Sequence, residues 1–208
     1  MTKKNTILRQ LKRNKLSMIG MIIIIMFFIL ALFAPLIATD SNDGTSADID
    51  NRLLPPSSEH WFGTDDLGRD VFSRVVLGSR ISLTVGIVAI AATMLIGISL
   101  GAVSGYVGGP IDECIMRFTD VCLALPSQIL AMAIAAALRP GLGSAMIAIS
   151  LTWWPYYTRL VRGQALQLRS QPFVYAAKMM GAKHPHIIIK HILPNCLGPI
   201  IVNATWDI

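Results

Sequence analysis

The chain has 208 residues, is 53% hydrophobic and only 14% charged, and carries a net charge of +6 with a mean hydropathy of +0.58. That balance excludes an ordinary soluble globular domain and points to the bilayer. It does not point to nucleic acid, because the basic residues follow a topological pattern and do not interleave with aromatics as a nucleic-acid groove would.

Residues 1–17 hold Lys3, Lys4, Arg9, Lys12, Arg13 and Lys15 without an acid, so the positive-inside rule places this basic N-terminus in the cytoplasm. A first span is predicted over 18–38, where Met18 to Ile37 is free of charge and long enough to cross roughly 30 Å of hydrocarbon. A basic start, an apolar run and small residues near Ala38 also describe a signal peptide, but the run exceeds the usual core of about 7 to 15 residues and further spans follow.

Counting crossings puts residues 39–80 outside the cell. They contain eight of the twelve acids: Asp40, Asp43, Asp48, Asp50, Glu59, Asp65, Asp66 and Asp70. Asp40 to Ser58, with "SNDGTS" and "LPPSS", reads as irregular. Thr64 then offers an N-cap, Asp65 and Asp66 suit the positive end of a helix dipole, Val71, Phe72, Val75 and Val76 share a face, and Asp70 and Arg74 form an i,i+4 pair. The pattern predicts an amphipathic helix along the outer surface before the chain turns inward near Ile81; the alternative is a plain solvated charged face.

Residues 81–208 form the core of the chain. Charge-free stretches over Ile81–Val107, Val121–Leu138 and Pro140–Thr158 complete four spans, and a fifth begins near Leu197, with Asp207 standing where apolar residues should continue; the chain reads as incomplete. Gly97, Gly101 and Gly105 make a stripe of small residues that suits close helix packing, either within the chain or on a second membrane subunit. Pro126, beside Ser127 and Gln128, is predicted to kink the third span and free a carbonyl. In "TWWPYYTR" the aromatics and Pro155 fit an aromatic belt, and no ligand role is assigned to them. Cys114, Cys122 and Cys196 form no CxxC pair, so they read as packing residues rather than a disulfide or zinc set.

A cytoplasmic loop over 161–195 is too well punctuated for a linker. Arg159, Arg162 and Arg169 lead into it, and Lys178, Lys183 and Lys190 follow without an acid, in agreement with the orientation counted from the N-terminus. Ser170 can cap a helix that begins at Pro172, Gly181 stops it in a left-handed turn, and Pro185 starts a second helix that runs to Pro194. Tyr175, Ala176, Met179 and Met180 would form an exposed apolar side, with Ala176 and Ala177 small enough for another backbone to approach. His184, His186 and His191 invite a metal-site reading, but three neighbouring lysines disfavour a cation and no carboxylate is near, so they read as solvated or docked.

The stretch "YAAKMMGAKHPHIIIKHILP" resembles the cytoplasmic loop of the membrane permease subunits of binding-protein-dependent ABC importers, whose pattern is Glu-Ala-Ala-x-x-x-Gly followed by Ile-x-Leu-Pro. Ala176, Ala177, Gly181, Leu193 and Pro194 match in register, while Tyr175 replaces the Glu and His191 the Ile. "HWFGTDDLGRDVFSRVVLGSRISL" and "LKRNKLSMIGMIIIIMFFILALFAPLIA" resemble the second permease of the dipeptide, oligopeptide and nickel group. The resemblance implies an all-α polytopic membrane bundle of the type I importer kind, with six spans in the family against four complete spans and the start of a fifth here. It implies a second homologous permease subunit, two cytoplasmic ATP-binding subunits and an extracytoplasmic substrate-binding protein as partners in the cell membrane. Tyr175, Ala176, Ala177, Met180, Gly181, Leu193 and Pro194 would then be the ATPase-coupling residues, and the cargo peptides, nickel or metal chelates. The chain has no GxxxxGK[ST] motif, so no ATP site, catalytic residue or cofactor is expected in it. The other classes weighed are a stand-alone channel or secondary transporter, which tends to show inverted repeats and intramembrane ionisable residues, and a membrane-anchored enzyme, which needs a convergent catalytic set. The four complete spans show neither the transporter features nor such a set.

Overall fold

The structure, a computed structural model, describes residues 14–39 and 47–207. The basic residues Lys3 to Arg13 and the acids Asp40 and Asp43, part of the charge asymmetry, lie outside the described residues. The chain divides into two compact units, Met1–Thr84 and Val85–Ile208.

In the first unit α1 (Lys15–Ile37) begins where the Asn14 side chain accepts the Leu16 N–H at 3.1 Å. Apolar residues on every side make it a lipid-facing rod rather than an amphipathic one. The polar loop that follows corrects one expectation. Thr64 does not cap a helix; it pairs with Asp70 in an isolated antiparallel bridge, accepts the Leu54 N–H at 2.8 Å and donates to the Asn51 carbonyl. Asp65 turns back on the chain instead of facing a helix dipole, accepting the N–H groups of Leu67 at 2.9 Å and Arg69 at 3.0 Å and pairing with Arg69 and Arg74. The cap is Asp70: its Oδ2 accepts the Ser73 N–H at 2.7 Å and the Thr39 hydroxyl at 3.1 Å, while Oδ1 meets His60 Nδ1 at 3.1 Å. Helix α2 (Val71–Val107) starts there and runs unbroken for 37 residues, so the expected amphipathic helix is the first turns of a long one and there is no separate turn inward near Ile81.

The second unit contains the rest of α2, then α3 (Gly109–Ala124), α4 (Ser127–Ala137), α5 (Leu142–Arg169), α6 (Pro172–Met179), α7 (His184–Ile187) and α8 (Leu193–Asp207), with a π turn over Ile188–Ile192 joining the last two. Among the described residues three helices are long and apolar enough to cross a membrane: α1, α2 and the continuous rod His184–Asp207. The third predicted span is not a kinked helix but two helices, α3 and α4, that meet at 91° across Leu125 and Pro126; as one broken span they make a fourth. Without its own N–H and with its ring against the preceding turn, Pro126 ends one helix and starts the next.

The predicted fourth span lies in α5, which is less apolar than the others because Trp153 to Thr158 and the arginines after them fill its second half. It is also the most enclosed, with Tyr157, Thr158, Val161 and Ala165 fully buried. Gly97, Gly101 and Gly105 explain this: a Cβ on them would stand 2.5 Å from Tyr157 Cβ, 2.5 Å from the Thr158 carbonyl and 2.6 Å from the Arg162 carbonyl. The glycine stripe is therefore spent on α5 of the same chain. Arg162 closes the contact with α3 through a two-pronged pair to Asp112, at 2.6 and 2.7 Å, and Arg159 pairs with Asp120.

Candidate functional site

The elbow between α5 and α8 is built on buried apolar residues. Val174 and Ala177 of α6, Ile187 of α7 and Ile192 of the π turn are at most 2% exposed and pack into one cluster with Tyr106, Val161, Ala165, Cys196 and Ile200. Each buried isoleucine is worth about 1.5–3 kcal/mol of transfer free energy. Such anchoring makes the segment a fixed part of the fold.

Local chemistry shapes it. Pro172 stands in the first turn of α6, preceded by Gln171 in extended conformation; Ser170 is not the cap, and its hydroxyl donates to the Gln167 carbonyl at the end of α5. Gly181 adopts φ +80°, its N–H donates to the Lys178 carbonyl at 2.9 Å, and the Ala182 N–H reaches back to the Ala177 carbonyl at 3.0 Å. Those two bonds are the signature of a left-handed glycine cap. Pro185 opens α7 as expected, but Pro194 does not end the rod. The π turn before it, closed by the Leu193 N–H on the Ile188 carbonyl, widens the helix where the ring would otherwise clash, and the Asn195 amide covers the His191 carbonyl at 2.7 Å.

The outer face of α6 carries Tyr175, Ala176, Met179 and Met180, all exposed, with Met179 at 88% and Met180 at 82%. Ala177 departs from the expectation: it points inward and is part of the core. Leu193 is half-buried beside that core, and Pro194 is exposed. Behind Gly181 a surface groove of about 440 Å³ is lined by Met180, Lys183, His186 and His191 among others. His184 turns to Tyr106, its Nδ1 3.3 Å from the hydroxyl, and His186 and His191 approach each other with ring centres 6.1 Å apart. Lys178 lies over the rings of Tyr106, at 5.1 Å, and Tyr175, at 5.7 Å. Tyr106, remote in sequence, was not legible as part of the elbow; the reach of Lys178 along an aromatic face required the fold.

These elements define a multi-pass membrane protein with a braced, apolar-faced elbow. Residues 97–208 match the family model described as binding-protein-dependent transport system inner membrane component, and residues 5–56 match the N-terminal TM domain of oligopeptide transport permease C. The chain belongs to this family of transport membrane components. It is similar to the dipeptide transport system permease protein DppC of Alkalihalophilus pseudofirmus, at 50% identity over 95% of this chain and 64% of that protein. It is 48% identical to the probable D,D-dipeptide transport system permease protein DdpC of Escherichia coli, over 95% of this chain and 66% of that one, and 42% identical to the oligopeptide transport system permease protein OppC of Bacillus subtilis, over 99% and 66%. The chain thus spans just under two thirds of the length of these relatives.

Proposed function

We propose that the chain is a permease subunit of an ATP-driven, binding-protein-dependent importer, that it forms half of a path for peptides, and that its elbow couples the path to a cytoplasmic ATPase. The observation that carries the coupling is the exposed apolar face of α6, held rigid by fully buried residues beneath it. A surface that transmits motion must be stiff on the inside and sticky on the outside. Tyr175, Ala176, Met179 and Met180 supply the contact, and the basic, acid-free surroundings suit a partner cleft of negative potential. The remaining partners are a second homologous permease, two ATP-binding subunits and an extracytoplasmic substrate-binding protein. The N-terminus faces the cytoplasm. Closure of the ATPases carries the elbow and biases the spans between two states, through contacts that differ between them. Peptide cargo is supported by the names of the relatives, all of which are dipeptide or oligopeptide permeases.

The test uses the assembled importer. Met179→Arg with Met180→Arg alters only exposed side chains, so membrane levels should match the parent while co-purification of the ATP-binding subunit and uptake fall at least tenfold. Parental uptake would remove the coupling assignment. Competition of labelled dipeptide uptake by unlabelled peptide or by nickel chelate identifies the cargo. A cysteine at Ser58 should react with an impermeant thiol reagent added outside, and one at Lys183 should not; the opposite pattern reverses the orientation.

A further inference from the structure

The α3–α4 break, α5 and α8 border an open pocket of about 310 Å³ lined by Leu123, Ser127, Thr152, Trp153, Tyr156 and Asp207. Asp207 stands in the last turn of α8, about 21 Å along it from Leu193 at about 1.5 Å per residue, in the rod His184–Asp207 that is apolar enough to span. Its Oδ2 accepts the Tyr157 hydroxyl at 2.6 Å, and no lysine, arginine or histidine among the described residues pairs with it. The hydroxyls of the wall are already engaged: Ser127 donates to Gln128 at 3.3 Å, Thr152 to carbonyls of its own helix at 2.9 Å, and Tyr156 to Asn203 at 3.2 Å. What the pocket offers a ligand is the Asp207 carboxylate together with two exposed aromatic rings, Trp153 at 41% and Tyr156 at 52%.

A carboxylate with aromatic faces is a receptor for an ammonium group, which gains both the ion pair and the attraction of the ring quadrupoles. An ionisable residue on a membrane-spanning helix is rare and marks a substrate pathway or its counter-charge. We infer that the pocket receives the ammonium end of the peptide cargo during its passage, with Asp207 as the counter-ion and Trp153 and Tyr156 as the walls. This rests on the peptide-importer reading and adds a polar station inside the path. Cargo without a positive amino group, such as an N-acetylated peptide, leaves the carboxylate unmatched and passes poorly.

The experiment compares uptake of a neutral dipeptide and its N-acetyl form by the reconstituted importer. The parent should prefer the free amine, Asp207→Asn should reduce that preference at least fivefold, and Asp207→Glu and Tyr157→Phe should keep it. Parental preference in Asp207→Asn overturns the inference alone; a parental importer that carries neither peptide overturns the peptide reading and this inference with it. Loss of preference in Tyr157→Phe equal to that in Asp207→Asn would assign Asp207 a structural part and overturn the inference also. A second measurement needs no change at Asp207: with Cys114, Cys122 and Cys196 replaced by alanine, Ser127→Cys should react at least tenfold faster with a cationic than with an anionic methanethiosulfonate, after correction for the reagents' rates with a free thiol. Equal corrected rates overturn it.

Discussion

The polar loop before α2, of which the sequence assigns only the end from Thr64 to a helix, and the elbow after α5, which it assigns to two short helices, are held together by opposite means. The loop is stitched by side chains. Thr64, Asp65 and Asp70 bond backbone groups up to 13 residues away, while Trp61 and Phe62 rest on Phe72 with half of their surface exposed. The elbow uses few polar side-chain bonds and instead sinks Val174, Ala177, Ile187 and Ile192 into the core. A segment without acids cannot build a polar scaffold of carboxylates and N–H groups, and it relies on burial.

The largest effect expected from this contrast is at Ile187. Ile187→Asp buries an unpaired charge in a site with no exposure, and should cost more than about 4 kcal/mol and expose the elbow to protease; Ile187→Ala should cost about 2–5 kcal/mol. If either variant resists protease like the parent, burial is not what holds the elbow. In the loop the corresponding point is Asp70, buried and shared by Ser73, Thr39 and His60. Asp70→Ala should cost about 1–3 kcal/mol, read as a lowered urea midpoint of Trp61 fluorescence in a chain whose other tryptophans are phenylalanine.

Gly181→Val comes next. No atom crowds the position, so the cost is conformational, about 1–2 kcal/mol for a side chain at φ +80°. Membrane levels should survive while association with the ATPase and uptake are lost together, because the outer face of α6 is misdirected. Import at the parental rate would show that the glycine cap serves only a connecting turn.

Acid separates the two regions further. Burial pushes the Asp70 carboxyl up, but the hydrogen bonds from Ser73, His60 and Thr39 outweigh it and hold the group below the usual carboxylate range. A folded-state pKa below the unfolded value of about 3.9 means that the stabilisation is complete well above that value and is lost as pH falls through the lower folded one. Acid titration of Trp61 fluorescence should therefore show the loop loosening only below about pH 4, and Asp70→Asn should flatten the change. The elbow, with no carboxyl group from Ser170 to Pro194, should show no transition in that window. Smallest of all is Tyr175→Glu, which should shift stability by less than about 0.5 kcal/mol on an exposed face and leave uptake intact, because Glu is the residue that the resembled loop pattern carries at this position.

Signals that act within one turn were legible in the sequence. Gly181, Pro172 and Pro185 each do what their backbone permits, and the glycine stripe has the spacing that only close helix approach needs. Where two neighbouring residues compete for a role, the pattern misled: Asp70 rather than Thr64 caps α2, and Gln171 rather than Ser170 precedes α6. The sequence places Ala177 outward because alanine is small enough to let another backbone approach, but Val174 three residues earlier shows that this side is buried. The 91° break at Pro126 and the passage of the rod through Pro194 have the same cause. A proline states that a hydrogen bond is missing; whether the helix breaks or widens depends on what surrounds it.

The π turn at Ile188–Ile192 fixes the angular phase between elbow and span. Five residues there occupy a widened turn, so deleting one of them, Ile189 for instance, would let an ordinary α-helix form and rotate everything on one side by about 100° relative to the other. Pro194 would then meet a carbonyl at normal helical spacing, and the outer face of α6 would swing away from its present bearing. A one-residue change of length, harmless in most loops, acts here as a gear shifted by a tooth.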